Sequence, residues 1–363
     1  MSRPASTAWT EDTLTRRARR GAEWFGLAGL VAAGVLILLV GVEVVTGPLA
    51  ALTVVLILGL LVALVITAVA GGPETRRRLA PYGLLNPGTL FLALFYLAPL
   101  FTLLRQSLST RPSRFAVEAE FDWNLDNYVT AFTDFGPQFA RGFLYAGAAT
   151  VLCIGIGYPL AYVIAFRGGR WRNLLLGLVV VPFFTSYLIR TIAWSSLLAD
   201  AGPVATAIDR LGLTWLFEAL HVMDDGRLIN TPAAVIGGLT YNFLPFMILP
   251  IYVSLEKISP ALVDAAQDLY SSPTGAFRRI VLPLSVPGIV AGTLLTFIPA
   301  AGDFVNAEYL GNPNTTMIGN SIQDQFLVQN NVPLASAMSF VLMAVITVAV
   351  LAYTRFLGAE ELA

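Results

Sequence analysis

One histidine and one cysteine are all that 363 residues provide of two chemically versatile side chains. With Cys153 alone the chain has no intramolecular disulfide and no thiolate cluster for a metal. With His221 alone, most zinc sites and Ser-His-Asp chemistry are out of reach. Lys257 is the single lysine and follows Ser254-Leu255-Glu256, so the Gly-rich lead of a phosphate-binding loop is missing. Neither a metal nor a cofactor is expected. Charge is scarce as well: Asp, Glu, Lys and Arg make up 12% of the chain, against about 25% in soluble domains. The net charge of -1 gives no reason to expect a nucleic-acid partner.

What is abundant is apolar surface. Hydrophobic residues reach 56% and the mean hydropathy is +0.72, which points to a body whose solvent is mostly lipid. About 20 apolar residues in a helix cross a bilayer core. Eight stretches qualify: Phe25–Val45, Leu49–Ala70, Thr89–Leu108, Phe143–Phe166, Leu174–Leu198, Ala233–Val253, Leu284–Phe304 and Ala335–Leu357. All should be helices, because an isolated strand in lipid leaves its backbone groups unpaired. The expected fold class is therefore an all-α integral membrane protein of about eight transmembrane helices. The first apolar run follows Arg16, Arg17, Arg19 and Arg20, as a signal peptide would. Two full-length spans precede the cleavage-like Ala68-Val69-Ala70, so they are read as retained.

Lys and Arg set the expected orientation. With the N-terminus in the cytoplasm, inner segments carry 15 of them and outer loops 5, with Arg105 and Arg190 in or near spans. An even number of spans then puts both termini in the cytoplasm. The outer loops are acidic, with Asp122, Asp126, Asp200, Asp224, Asp225 and Glu308 among their carboxylates. That field would draw cations to an entrance, or it is simply what the topology rule leaves behind.

The segment from 254 to 283 is too polar to cross a membrane and too patterned for a linker. Ser259-Pro260 reads as an N-cap with proline at the first helical position. Leu262, Ala265, Ala266 and Leu269 recur with helical spacing on one face, with Asp264, Gln267 and Asp268 away from it. Ser272-Pro273 starts a second short helix carrying Phe277, Ile280 and Val281, which Leu282-Pro283 is expected to end. Two short helices on the cytoplasmic side form either a knob for a partner chain or a turn packed on its own bundle.

The residues Asp264-Ala265-Ala266, Ser271-Ser272-Pro273 and Phe277 through Leu282-Pro283 resemble the coupling-loop signature of ABC importer permeases. Asp264 stands where that family usually has Glu, and Tyr270 where it usually has Gly. Further stretches are similar to the polyamine (spermidine/putrescine) branch: Val181 through Ser186, Leu188 through Thr191 with Ala193-Trp194, Leu244 through Pro250, Phe297 through Phe304, and Pro313 through Phe326. The resemblance covers roughly Pro87 to Leu357 and implies six of the eight spans as a permease core. It also implies the partners: ABC ATPase subunits that hydrolyse ATP, a second permease subunit, identical or paralogous, and an extracytoplasmic substrate-binding protein. This chain would then be no enzyme but a conduit in the bacterial inner membrane, embedded in the lipid bilayer. Asp264, Ala265, Ala266, Asp268, Leu269, Tyr270, Ser271, Phe277, Arg278, Leu282 and Pro283 would couple it to the ATPase.

Polar residues inside spans mark a candidate path. Arg190 lies beside Trp194 in the fifth span, and Tyr241 and Asn242 lie mid-way along the sixth, where Pro245 is expected to interrupt the helix. Asp303 sits at the outer end of the seventh, with Glu308 just beyond. For a polyamine, carboxylates would meet ammonium groups and aromatic faces would support the methylenes. Asp303 could equally pair with Arg190, Glu308 could be a solvated loop residue, and Trp194 an interfacial anchor. The competing readings are an importer of ferric iron or phosphonate, an ion-coupled secondary transporter, and a non-transporting scaffold. The domain plan is a cytoplasmic segment 1–24, two extra spans in 25–70, the permease domain 87–357 with its coupling loop 254–283, and a cytoplasmic tail 358–363.

Overall fold

The computed structural model describes residues 91, 95–96, 98–113, 119–268 and 272–356. The expected spans at Phe25–Val45 and Leu49–Ala70, most of the third, the tail, and Leu269, Tyr270 and Ser271 lie outside them. Contacts divide the chain into two units, residues 1–102 and 103–363. The few described residues of the first unit are helical.

After helix α1 (Ala98–Ser107) comes a two-residue antiparallel ribbon, β1 (Ser109–Thr110) against β2 (Glu120–Phe121), with Ser109 opposite Phe121. Helix α2 (Asp126–Thr133) then leads into α3 (Gly136–Tyr162), which a π-helical turn extends to Arg167. Helices α4 (Arg172–Val180) and α5 (Tyr187–Leu198) follow, then α6 (Pro203–Arg210) and α7 (Thr214–Ala219). The long α8 (Pro232–Glu256) is followed by α9 (Pro260–Asp268) and α10 (Pro273–Ala276), which runs through another π-helical turn into α11 (Leu282–Ala301). The chain continues through α12 (Val305–Leu310) and α13 (Ile318–Gln323) to α14 (Val332–Phe356).

Among the described residues, four helices are long and apolar enough to cross a membrane: Gly136–Arg167, Pro232–Glu256, Pro273–Ala301 and Val332–Arg355. They contain the fourth, sixth, seventh and eighth expected spans, nearly whole. The fifth, Leu174–Leu198, is corrected. The chain there is a pair of helical segments, Gly169–Phe184 and Tyr187–Arg210, meeting at 95°. Thr185 and Ser186 take extended backbone at the break (ψ 142 and 137). Pro182, with no N–H, stands in the tight turn just before it.

The reverse holds in α8, which runs unbroken through Pro245 and Pro250. The expected interruption does not occur, because packed neighbours let a membrane helix tolerate the carbonyls that proline frees. Helix α8 is also the centre of the bundle: 61% of its most apolar stretch is buried, against 33% for each of the other three spans. Its first half (Val235, Leu239, Phe243) packs in one cluster with Ala146, Ala301, Leu310 and Met317. Its second half (Met247, Ile248, Ile251, Leu255) packs with Cys153, Ala161 and Ile164. Helices α8 and α11 approach closely at Gly288 and Gly292. A Cβ at Gly292 would lie 2.7 Å from Met247 Sδ and 3.2 Å from its backbone, so the small residues set the spacing. Cys153 is fully buried, with its thiol on the Thr240 carbonyl at 3.4 Å, and His221 is exposed.

Candidate functional site

Two clusters gather the residues singled out in the sequence. The first joins α5, α8 and the turn after α11. Asp303 follows Gly302, the residue that closes α11, and is 7% exposed. Its Oδ1 accepts the backbone N–H of Asn306 at 2.8 Å and the Asn306 side-chain amide at 3.1 Å. Its Oδ2 accepts the Tyr187 hydroxyl at 2.5 Å. The Asn306 amide also donates to the Tyr187 oxygen at 2.6 Å. Asn242, 1% exposed, donates to Asn306 Oδ1 and to Thr191 Oγ1, each at 3.2 Å. Thr191 donates in turn to the Tyr187 carbonyl at 3.2 Å.

Asp303 and Asn242 are thus brought together, but through three residues the sequence reading passed over: Tyr187, Thr191 and Asn306. A signal for one of them exists. Asp303 stands just before a short helix with Asn306 three residues on, the spacing at which an Asp side chain caps a backbone N–H. Nothing in the sequence marks Tyr187, whose hydroxyl crosses 116 positions to reach Asp303.

Arg190 does not pair with Asp303. Its guanidinium lies over the rings of Phe183 (5.0 Å) and Tyr187 (5.7 Å). Though the residue is only 9% exposed, its Nε and Nη1 have no hydrogen-bond partner. Trp194 and Tyr241 pack ring to ring at 5.3 Å, each half-buried, beside the same network. Glu308 stands apart. It is exposed and accepts one bond from the Asn320 amide at 3.3 Å.

The second cluster is the segment between α8 and α11. Helix α9 leaves Leu262, 50% exposed, and Ala265 uncovered, with Asp264 exposed beside them. Val263, off the expected apolar face, is the residue that packs on the chain's own core. Of the apolar face expected from the spacing, Leu262 and Ala265 are thus exposed and Ala266 is half-buried. Ser272 caps α10 as expected, its Oγ accepting the Gly275 N–H at 3.1 Å. Leu282-Pro283 does not end that helix, a second correction: the backbone runs on through the π-helical turn into α11. Proline costs nothing there, since the wider turn already gives up the regular ladder. Phe277 points inward, edge-on to Tyr158 (5.9 Å) and Tyr162 (5.8 Å) of α3, and Val281 is buried. Arg278 and Arg279 are exposed.

Residues 157–358, from the end of α3 through α14, match the family model of binding-protein-dependent transport system inner membrane components. The chain belongs to this family. As an inner membrane component it is a multi-pass transport permease rather than an enzyme. The spermidine/putrescine transport system permease protein PotB of Haemophilus influenzae is 37% identical over 267 residues, 73% of this chain and 90% of PotB. Its Escherichia coli namesake is also 37% identical, over 270 residues, 73% of this permease and 93% of the relative. The E. coli inner membrane ABC transporter permease protein YdcU is 34% identical over 61% of this chain and 71% of its own. In fold, the permease is similar to a crystallised bacterial ABC transporter that imports the acidic polysaccharide alginate. That likeness has a TM-score of 0.56 at 20% identity and covers 78% of this chain and 96% of the other.

Proposed function

We propose that this chain is a permease subunit of an ATP-driven importer of polyamines such as spermidine and putrescine. What carries the reading is the 37% identity to spermidine/putrescine permeases across nine tenths of their length. Residues 87–357 form the permease core, with both termini and the loop 254–283 in the cytoplasm, as the Lys and Arg distribution requires. The spans in 25–70 are additions that pack or assemble the complex. A second permease subunit, ABC ATPase subunits and an extracytoplasmic binding protein complete the machine.

Each part of the loop has a mechanical task. The exposed Asp264, Ala265 and Leu262 on α9 form the surface that meets the ATPase. Phe277, wedged on Tyr158 and Tyr162, makes the loop one body with α3, and the unbroken run from α10 into α11 turns it into the end of a lever. Closure of the ATPases on ATP then tilts a rigid helix rather than a hinge, and the bundle rocks between inward- and outward-open states. Along the path, Asp303 meets ammonium groups, and Trp194 and Tyr241 line the methylenes.

The test is uptake of radiolabelled spermidine and putrescine in cells expressing the whole complex, comparing wild type with Asp264→Arg. Polyamine uptake lost together with ATPase co-purification is the expected result. Wild-type cells that take up no polyamine, while Asp264→Arg still releases the ATPase, would leave an importer of another solute. Asp264→Arg cells that keep both uptake and the ATPase would sink the coupling role.

A further inference from the structure

The buried network around Asp303 has a direction that the carboxylate imposes. A carboxylate only accepts, so the Asn306 amide must turn its nitrogen toward Asp303 and Tyr187. Asn306 Oδ1 is then the acceptor for Asn242, whose nitrogen is also taken up by Thr191. That leaves Asn242 Oδ1 as an acceptor with no donor, sealed in a residue 1% exposed. In a protein interior such an atom is costly unless something supplies a proton. The network is one donor short.

From this geometry we infer that Tyr187, Asp303 and Asn242 form a closed subsite for a primary ammonium group, with the Asn306 amide nitrogen holding the place of the ligand nitrogen. The amide nitrogen already sits between a carboxylate oxygen (3.1 Å) and a phenol oxygen (2.6 Å), two acceptors an ammonium would choose. An ammonium brings three donors where the amide brings two, and the third answers Asn242. Trp194 and Tyr241, three residues from Thr191 and next to Asn242, offer the aromatic faces a methylene chain would lie on. Arg190, resting on the Tyr187 ring without an acid partner, keeps a positive charge close by. That charge makes occupancy brief, as a conduit needs. The inference deepens the polyamine reading and rests on it for the choice of probe.

Asn306 can be displaced in two independent ways. Asn306→Ala removes the amide. Gly238→Ala, one turn before Asn242 on α8, leaves every polar group in place but sets a Cβ 2.3 Å from Leu310 Cδ1 and 2.5 Å from Asn306 Oδ1, so that both side chains must shift. The complex of permease and ATPase subunits, purified in nanodiscs without its binding protein, is titrated with radiolabelled putrescine. Both variants should bind about fivefold more tightly than wild type, the equivalent of one hydrogen bond no longer competing. Adding Asp303→Asn should abolish the gain in each, and 1,4-butanediol should not compete. If Asn306→Ala is not recovered folded, Asn306→Ser replaces it.

Folded variants that bind no more tightly than wild type overturn the subsite, as does a gain that survives Asp303→Asn. Wild-type uptake in cells is read separately. Uptake without tighter binding in the variants removes the subsite and leaves the polyamine reading intact. Tighter binding without uptake does the opposite, and the site then serves another amine.

Discussion

In the network joining α5, α8 and the turn at Asp303, all but one of the polar side-chain atoms of Tyr187, Thr191, Asn242, Asp303 and Asn306 are answered inside the chain. On α9, by contrast, Asp264, Leu262 and Ala265 are exposed. The two regions meet different solvents. Between membrane spans neither water nor lipid supplies hydrogen bonds, so every group must be satisfied locally or bear the full cost of desolvation. A loop outside the bilayer can leave charge and small apolar residues exposed until a second chain arrives. A self-contained polar cluster suits a position buried between helices, and an exposed acidic and apolar face suits the proposed joint with a partner chain.

The contrast can be broken most severely at the joint. Asp264→Arg reverses charge on the exposed face, and uptake should fall to background with the ATPase lost on co-purification, while the thermal midpoint of the permease stays unchanged. An altered midpoint would mean that Asp264 belongs to the fold and not to the joint. At the network, Asp303→Asn keeps the shape but removes the charge from the bonds to Tyr187 and Asn306. Charge-assisted bonds are worth about 1.5–3 kcal/mol, so transport should drop about 10- to 100-fold at normal expression. Unchanged uptake would reduce Asp303 to a helix cap.

The next effect is purely steric. Gly292→Ala drives a Cβ into Met247, whose backbone cannot swing away, and overpacking of this kind costs about 1–3 kcal/mol. A lowered thermal midpoint in detergent is expected, and no change would show that α8 and α11 are free to part. The smallest effect belongs to Glu308. It is exposed with one 3.3 Å contact, so Glu308→Gln should alter uptake by no more than about twofold, as surface substitutions do. A larger loss would return Glu308 to the transport path.

Much of the architecture was legible because hydropathy reports directly on which helices face lipid. The expected stretches at Phe143–Phe166, Ala233–Val253 and Ala335–Leu357 lie wholly or nearly so within helices at Gly136–Arg167, Pro232–Glu256 and Val332–Arg355. The Ser272-Pro273 start was legible for a local reason: a hydroxyl three residues before an open N–H needs no tertiary information. Proline was the unreliable sign. Pro182 accompanies a 95° bend, while Pro245, Pro250 and Pro287 sit in unbroken helix. Sequence names the residue that frees a carbonyl but not the neighbour that accommodates it.

The partners of Asp303 were out of reach for a similar reason. Arg190 was the chemically obvious counterion, yet the bend before α5 turns it onto Phe183 and Tyr187 and presents the Tyr187 hydroxyl instead. By itself the sequence determined that this is a helical membrane permease, where four of its spans lie, and that a two-helix loop interrupts them. Only the tertiary structure decided which span breaks, which prolines are silent, and which polar side chains meet. The first set follows from transfer energies and caps that act over a few residues; the second depends on packing between helices more than 50 positions apart in the chain.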